Sequence, residues 1–192
     1  MGRIKINEKH ENVFHAFLLL KKGIKLMTEK YHRAFGCYGI IGNKKDLVVI
    51  KKLGGPYINR YDLPGGSLED GEELNHALVR EVKEETGLSV LDFHQIGVTS
   101  FRYPWDYEKW HFNQHICVFY EVTKTDGSLA AEVDQFEGQD ALGAVRVSLD
   151  QLNLENSSPL VLKAKEYLLK RNSFSLADQT FKKWPILKKA VF

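Results

Sequence analysis

Apolar and polar positions along the 192-residue chain divide it into short segments of changing period. In residues 1–30, apolar positions at Val13, Phe14, Phe17, Leu18, Ile24, Leu26 and Met27 suggest a helix broken near Gly23, or a helix followed by a strand. The runs "FGCYGIIG" and "DLVVIKK" are rich in β-formers and flank "NKK", a pattern that predicts a hairpin with a polar turn. "LGGPYINRYDLPGG" holds too much Gly and Pro for a regular element and reads as a loop. Helical spacing then runs from Glu72 to about Thr86, with Gly87 as its stop.

Strands are expected over residues 90–101 and 112–122, joined by "YPWDYEKWH", and residues 123–140 read as a long acidic loop. "GAVRVSLDQL" predicts a short strand. "SPLVLKAKEYLLKR" predicts a helix capped by Ser158, with Pro159 in its first turn. No clear period marks residues 173–192. Strands and helices interleave without regular βαβ alternation, so the fold class is a mixed α/β or α+β sandwich rather than a doubly wound parallel sheet.

Composition changes this picture little. With 43% hydrophobic and 27% charged residues the chain belongs with ordinary globular proteins, and 22.0 kDa suits one sizeable domain with an appendage. A net charge of +2 gives no strong field toward nucleic acid or anionic membrane. The basic residues near the C-terminus, Lys182, Lys183, Lys188 and Lys189, read as a solvated face. Cys37 and Cys117 lie in apolar runs, as free thiols that behave like small hydrophobes, which favours a reducing interior. The run over residues 13–20 is too short for a membrane span and lacks a cleavage site, so the expected location is cytoplasmic.

Chemistry is concentrated in the predicted helix. At 100° per residue, Leu74, Leu78 and Val82 form one stripe with Ala77 beside it, and Glu81 and Glu85 fall on that same side with Glu84 at its edge. A stripe that should be buried therefore turns acidic. Glu69, Asp70 and Glu73 read as solvated, but carboxylates crowded at i, i+3 and i+4 repel unless a cation compensates. Arg80 and Lys83 are the basic residues at hand, and Lys83 points away. A hard divalent ion prefers oxygen donors and shares them with phosphate, so the cluster predicts Mg²⁺ or Mn²⁺ acting on a phosphate-containing substrate. Arg80 can orient a carboxylate through a forked pair, with Glu72 at the helix start as its partner, and the "GG" turn lets backbone come close to the site.

Gly66, Glu72, Arg80, Glu81, Val82, Glu84, Glu85, Gly87 and Leu88 fill every fixed position of G-x5-E-x7-R-E-U-x-E-E-x-G-U, with U aliphatic. In this the chain resembles the Nudix (MutT-like) hydrolase family, with the box over residues 66–88 of a domain spanning 31–155, and residues 156–192 as a C-terminal helix and tail packing on it. The resemblance implies an α/β/α sandwich with a mixed sheet that hydrolyses a nucleoside diphosphate linked to another moiety. It implies Glu81, Glu84 and Glu85 as metal ligands, Arg80 and Glu72 as orienting partners, and Gly66 backbone facing the metal site. The box does not fix the general base: Glu81 is one candidate, and the region matching the family's acidic loop offers Glu132, Asp134, Glu137 and Asp140, of which Glu137 is favoured.

Members of that family acting on ADP-ribose often carry a proline about sixteen residues beyond the box, where this chain has Pro104, while the coenzyme A marker is absent. The cluster Phe101, Tyr103, Trp105, Tyr107 and Trp110 can stack on a base, with Tyr103 and Trp105 as substrate-binding candidates, or form a satellite core or a homodimer contact. His111 and His115, alternating with Phe112 on a strand, can reach substrate, but packing or surface roles are favoured. The rival function is a sensor module of the same fold that binds a nucleotide without turnover, and the intact box favours an enzyme. A structural acidic helix without metal is the third reading.

Overall fold

Residues 47–50, the sequence Leu-Val-Val-Ile, are completely buried, and alternate residues enter different cores. Leu47 and Val49 join one apolar cluster while Val48 and Ile50 join another, as the two-residue period of a strand requires when both of its faces are covered. The computed structural model describes residues 30–170 and 173–192, and within it Tyr31–Phe192 form one unit. Apart from Lys30, the element expected in residues 1–30 lies outside the described residues.

Among the described residues, eight strands and two α-helices follow in order: β1 (Tyr31–Ile40), β2 (Asp46–Lys52), β3 (Tyr61–Asp62), β4 (Gly65–Gly66), α1 (Leu74–Thr86), β5 (Ser89–Tyr107), β6 (Trp110–Asp126), β7 (Ala141–Ser148), α2 (Pro159–Lys170) and β8 (Gln179–Thr180). A five-stranded sheet has the order β4-β1-β6-β5-β8, and a three-stranded antiparallel sheet the order β3-β2-β7. The larger sheet is mixed, because β1 runs parallel to β6, with Cys37 opposite Val118, and antiparallel to β4. One cluster packs Leu78 and Val82 of α1 against Cys37, Val48, Val118 and Tyr120; the other packs Leu160, Ala164 and Leu168 of α2 against Tyr38, Leu47, Val49 and Phe119. The result is the expected α/β/α sandwich. Each fully buried Leu or Val contributes about 1.5–3 kcal/mol relative to its exposed state.

The helix ends follow from local chemistry. Gly87 adopts a left-handed conformation (φ 75°) and donates its N–H to the Lys83 carbonyl, so α1 stops where the sequence predicted. Glu73 precedes the helix in extended conformation, and α1 therefore begins at Leu74, later than the expected Glu72. Ser158 accepts a bond from Val161 N–H (3.3 Å) and caps α2, with Pro159 in the first turn.

Four expectations are corrected. β1 and β2 do not form a hairpin: the "NKK" turn exists, closed by Asn43 N–H to the Asp46 carbonyl (2.9 Å), but after one bridge, Gly42 to Leu47, the strands enter different sheets. "YPWDYEKWH" is not a connection but the tip of a long hairpin, since β5 continues to Tyr107, β6 starts at Trp110, and Glu108 turns the chain with φ 51°. Pro104 pairs with Phe112 at the last regular position before the ladder slips toward Tyr107, the kind of irregular site at which a strand accommodates proline. The acidic loop is shorter than expected, because β6 runs on to Asp126. The Gly-rich loop also contains a 3₁₀ turn, Gly55–Tyr57, and the two short strands β3 and β4. In the tail, β8 pairs with β5 at Phe101 and Arg102, and Trp184 is buried with its indole N–H on the Pro56 carbonyl (2.7 Å).

Candidate active site

The carboxylates of α1 and of the loop before it separate into two populations, as the sequence predicts. Glu69, Asp70 and Glu73 are exposed, whereas Glu85 is buried and Glu81 half-buried, on the side of Ala77, Leu78 and Val82. Arg80 organises the adjoining edge. Its Nε and Nη2 donate to the two oxygens of Glu72 (2.8 Å each), Nη1 lies 3.0 Å from Glu81 Oε1 and donates to Glu84 Oε2 (3.3 Å), and Nη2 also reaches the Ser67 carbonyl (3.1 Å). The forked pair predicted for Arg80 and Glu72 is present. It holds Glu72 down at about 2, helped by the Glu69 N–H, and raises the Arg80 guanidinium above its ordinary value.

β4 supplies the second wall. Gly65 N–H donates to Glu85 Oε2 (2.7 Å), which fixes that carboxylate at the floor of the site. Gly65 has φ 137°, and a side chain there would strike the Cys37 carbonyl, so only glycine fits this strand. A Cβ on Gly66 would stand 2.7 Å from Glu81 Oε1, which is the close backbone approach expected of the "GG" turn.

Burial pushes the Glu81 and Glu85 carboxyls upward, Glu85 far above the usual range, because Arg80 and Lys52 compensate the charge only in part. A divalent cation would supply the positive charge that the ionised carboxylates lack and would accept their hard oxygen donors, so Glu81, Glu84 and Glu85 fit the group that the sequence implied. They are not assembled into a ready cage: Glu81 and Glu84 turn onto Arg80 and Glu85 onto Gly65, and among the described residues no three acidic, His or Cys side chains converge as a metal site.

A cavity of about 290 Å³ opens from Glu81 and Glu85 and is lined at its other walls by Phe35, Tyr57, Tyr103, Trp105 and His115. Of the aromatic candidates, Tyr103 is buried with its hydroxyl bonded to Asn113 (2.7 Å), while Trp105 is half-buried and stacked on Tyr107 (4.9 Å, 7°). His111 is exposed beside Asp106, as expected of a surface residue. His115 is buried with both ring nitrogens on tyrosine hydroxyls, Tyr38 at 2.8 Å and Tyr57 at 3.1 Å, and burial lowers its pKa to about 3. It stays neutral in the cavity wall.

The loop acids divide in the same way. Glu137 and Asp140 line a second cavity, about 220 Å³, together with Arg80, Glu81, Glu84 and Glu85, whereas Glu132 and Asp134 line a separate recess beside Lys83. Sequence reasoning missed Lys52 and Asp62, both on the main cavity. Lys52 donates to Asp140; burial lowers its affinity for a proton, but Glu85, Asp140 and Asp62 outweigh this and hold the ammonium above its ordinary value. Asp62 accepts from Ser158 Oγ (2.6 Å) and Leu63 N–H (2.9 Å), and burial pushes it up to about 6 despite Lys52. The signal available was the "KK" closing one apolar run and the Asp before "LPGG", which no periodicity connects to the helix.

Comparison with known proteins gives concordant results. A family model described as NUDIX domain matches residues 30–168. An ADP-ribose pyrophosphatase from Methanocaldococcus jannaschii is 38% identical over 71 residues, 37% of this chain; the match spans only 42% of that relative's length. Among solved structures, a MutT NUDIX hydrolase from Burkholderia pseudomallei has TM-score 0.56 at 19% identity, covering 70% of this chain and 97% of its own. The NUDIX domain of Shewanella oneidensis NrtR, complexed with ADP ribose, has TM-score 0.55 at 12% identity, covering 80% and 97%. At these identities the structural likeness speaks for the fold.

Proposed function

We propose a hydrolytic function for this chain, which belongs to the NUDIX domain family: cleavage of the pyrophosphate bond in a nucleoside diphosphate joined to a second moiety, with ADP-ribose and nucleotide sugars as the leading substrates. The observation that carries the reading is one cavity that joins the carboxylates Glu81 and Glu85, the cation Lys52 and the ring of Trp105. A pyrophosphate needs the first two groups and a nucleobase the third.

Glu81, Glu84 and Glu85 hold Mg²⁺ or Mn²⁺ in this proposal. Bound there, the ion polarises phosphoryl oxygens and lowers the pKa of water at neutral pH. The remaining work belongs to the chain. Arg80, locked by Glu72, keeps Glu81 and Glu84 on the cavity side of α1. Gly66 offers backbone without a side chain to obstruct the phosphates, and Lys52 places a positive charge beside them. Glu137 takes a proton from the attacking water as its oxygen bonds to phosphorus, and the bridging P–O bond breaks with its electrons leaving on the departing phosphate. Trp105 stacks on the base, and the neutral His115, Tyr57 and Tyr103 receive uncharged parts of the substrate. The lining residues fall between His32 and Asp140, consistent with a catalytic domain over 31–155 that residues 156–192 brace.

The test is mass detection of products from ADP-ribose, nucleotide sugars, dinucleoside polyphosphates and nucleoside triphosphates with Mg²⁺. Glu85→Gln should lower turnover of the confirmed substrate by at least about a hundredfold. Tight binding of one compound without turnover of any would instead identify a sensor module, and full activity in Glu85→Gln would remove Glu85 from the metal site.

A further inference from the structure

We propose that Asp140 is a positioning residue, whose ion pair with Lys52 clamps the loop of residues 127–140 so that Glu137 faces the carboxylates of α1. The inference rests on the reading of Glu137 as proton acceptor. The first half of this loop is tied down by backbone bonds: Ala130 N–H to the Thr86 carbonyl (2.9 Å), Ala144 N–H to the Ala130 carbonyl (2.8 Å) and Val133 N–H to the Leu142 carbonyl (3.0 Å). In the second half, Gln135 Nε2 donates to the Val133 and Ala141 carbonyls (3.0 Å each) and Ala141 N–H donates to Gln139 Oε1 (2.8 Å), contacts that shape the loop on either side of Glu137 without reaching its carboxylate. Glu137 sits in a turn closed by Gln139 N–H to the Phe136 carbonyl (3.0 Å), with Gly138 at φ 94°, and among the described residues no hydrogen bond or ion pair holds the Glu137 carboxylate.

The tie between this segment and β2 comes three residues later. Asp140 accepts a bond from Lys52 Nζ through its side chain and from Leu53 N–H through its carbonyl (2.6 Å), and it lies against Gly54, where an added Cβ would be 3.2 Å from its own Cβ. The anchor is rigid. Lys52 closes β2, pairs with Ala141 and donates its N–H to the Arg60 carbonyl (3.0 Å), and its side chain is only 13% exposed. A neutral side chain at position 140 leaves the ammonium without its hydrogen-bonded carboxylate, and the slack passes through Gly138 and Gln139 to Glu137. Asp140 lines both cavities, so the clamp stands at the point where the loop meets the site.

Hydrogen exchange on the metal-free protein tests the clamp without turnover. Asp140→Asn should raise exchange over residues 133–139 by about tenfold and leave α1 and β2 unchanged. In the Mg²⁺ enzyme with ADP-ribose, Asp140→Asn should lower kcat on the order of tenfold to a hundredfold with KM within about twofold. Asp140→Glu should restore part of kcat, and Asp140→Asn should add no loss in a Glu137→Gln background. Independent, multiplying losses in the double variant overturn the proposal, as does unchanged exchange. Glu137→Gln with undiminished kcat overturns both the acceptor role and the clamp built on it. A wild type inert toward the whole panel fails the proposed reaction instead, and exchange alone then upholds or overturns the clamp.

Discussion

Gly66→Ala separates the chemistry of the site from its stability. Gly66 does not have a positive φ, so alanine adds no backbone strain, but its Cβ would stand 2.7–2.9 Å from the three atoms of the Glu81 carboxylate. Ordinary contact lies near 3.5 Å, so the carboxylate must retreat by about 0.7 Å. The retreat is inexpensive for folding, because Glu81 is the end of a flexible chain that is half-buried, and the expected stability change is below about 1 kcal/mol. It is costly for a reaction that depends on placement: a shift near 1 Å can lower kcat by about a hundredfold. The neighbouring Gly65→Ala behaves oppositely, since φ 137° and the Cys37 carbonyl both oppose a side chain, and it should unfold at much lower temperature. Calorimetry with steady-state kinetics on the confirmed substrate distinguishes the two. Full kcat/KM in Gly66→Ala, or a large loss of its stability, refutes the reasoning.

Acid stability should reflect two buried groups of opposite sign. His115 titrates near 3 when folded and about 6.5 when unfolded, so its contribution to stability is lost as pH falls through that window. Asp62, raised to about 6, binds its proton more tightly when folded and adds stability as pH falls from 6 toward 4. Asp62→Asn should therefore make stability fall more steeply below pH 6, by up to about 1.4 kcal/mol per unit, as read from denaturant titrations across pH. Trp105→Ala should raise KM by about tenfold and leave kcat near its original value, because a stacking wall binds ground and transition states alike. Arg60 is buried over Trp184, and among the described residues its Nε and Nη1 have no hydrogen-bond partner, so Arg60→Met should raise the melting temperature, corresponding to about 1–2 kcal/mol; a lower one refutes it.

The part of the site legible in the sequence is the part built on one helix. Arg80, Glu81, Glu84 and Glu85 are brought together by a single period that Gly87 ends, so local geometry was enough, although the helix starts at Leu74 and not at the expected Glu72. Ser158 and Pro159 announced α2 in the same way. Sheet assignment was not legible, because residues 47–50 are buried on both faces and a strand of that kind carries no mark of its partner. The hairpin tip escaped notice since Glu108 and Lys109 lack the Asn-Gly chemistry of such turns. Lys52 and Asp62 reach the site only through the pairing of β2 with β3, where Lys51 opposes Tyr61 and Ile50 opposes Asp62. No spacing rule covers that contact. Among the described residues no helix is long and apolar enough to cross a membrane.

The most direct test of the central claim is product analysis of ADP-ribose and nucleotide sugars incubated in ¹⁸O-labelled water with and without Mg²⁺. The account predicts cleavage at the pyrophosphate only when the ion is present, with one ¹⁸O on a product phosphate and loss of the reaction in Glu85→Gln. Cleavage that persists after chelation, or label absent from phosphate, would contradict it.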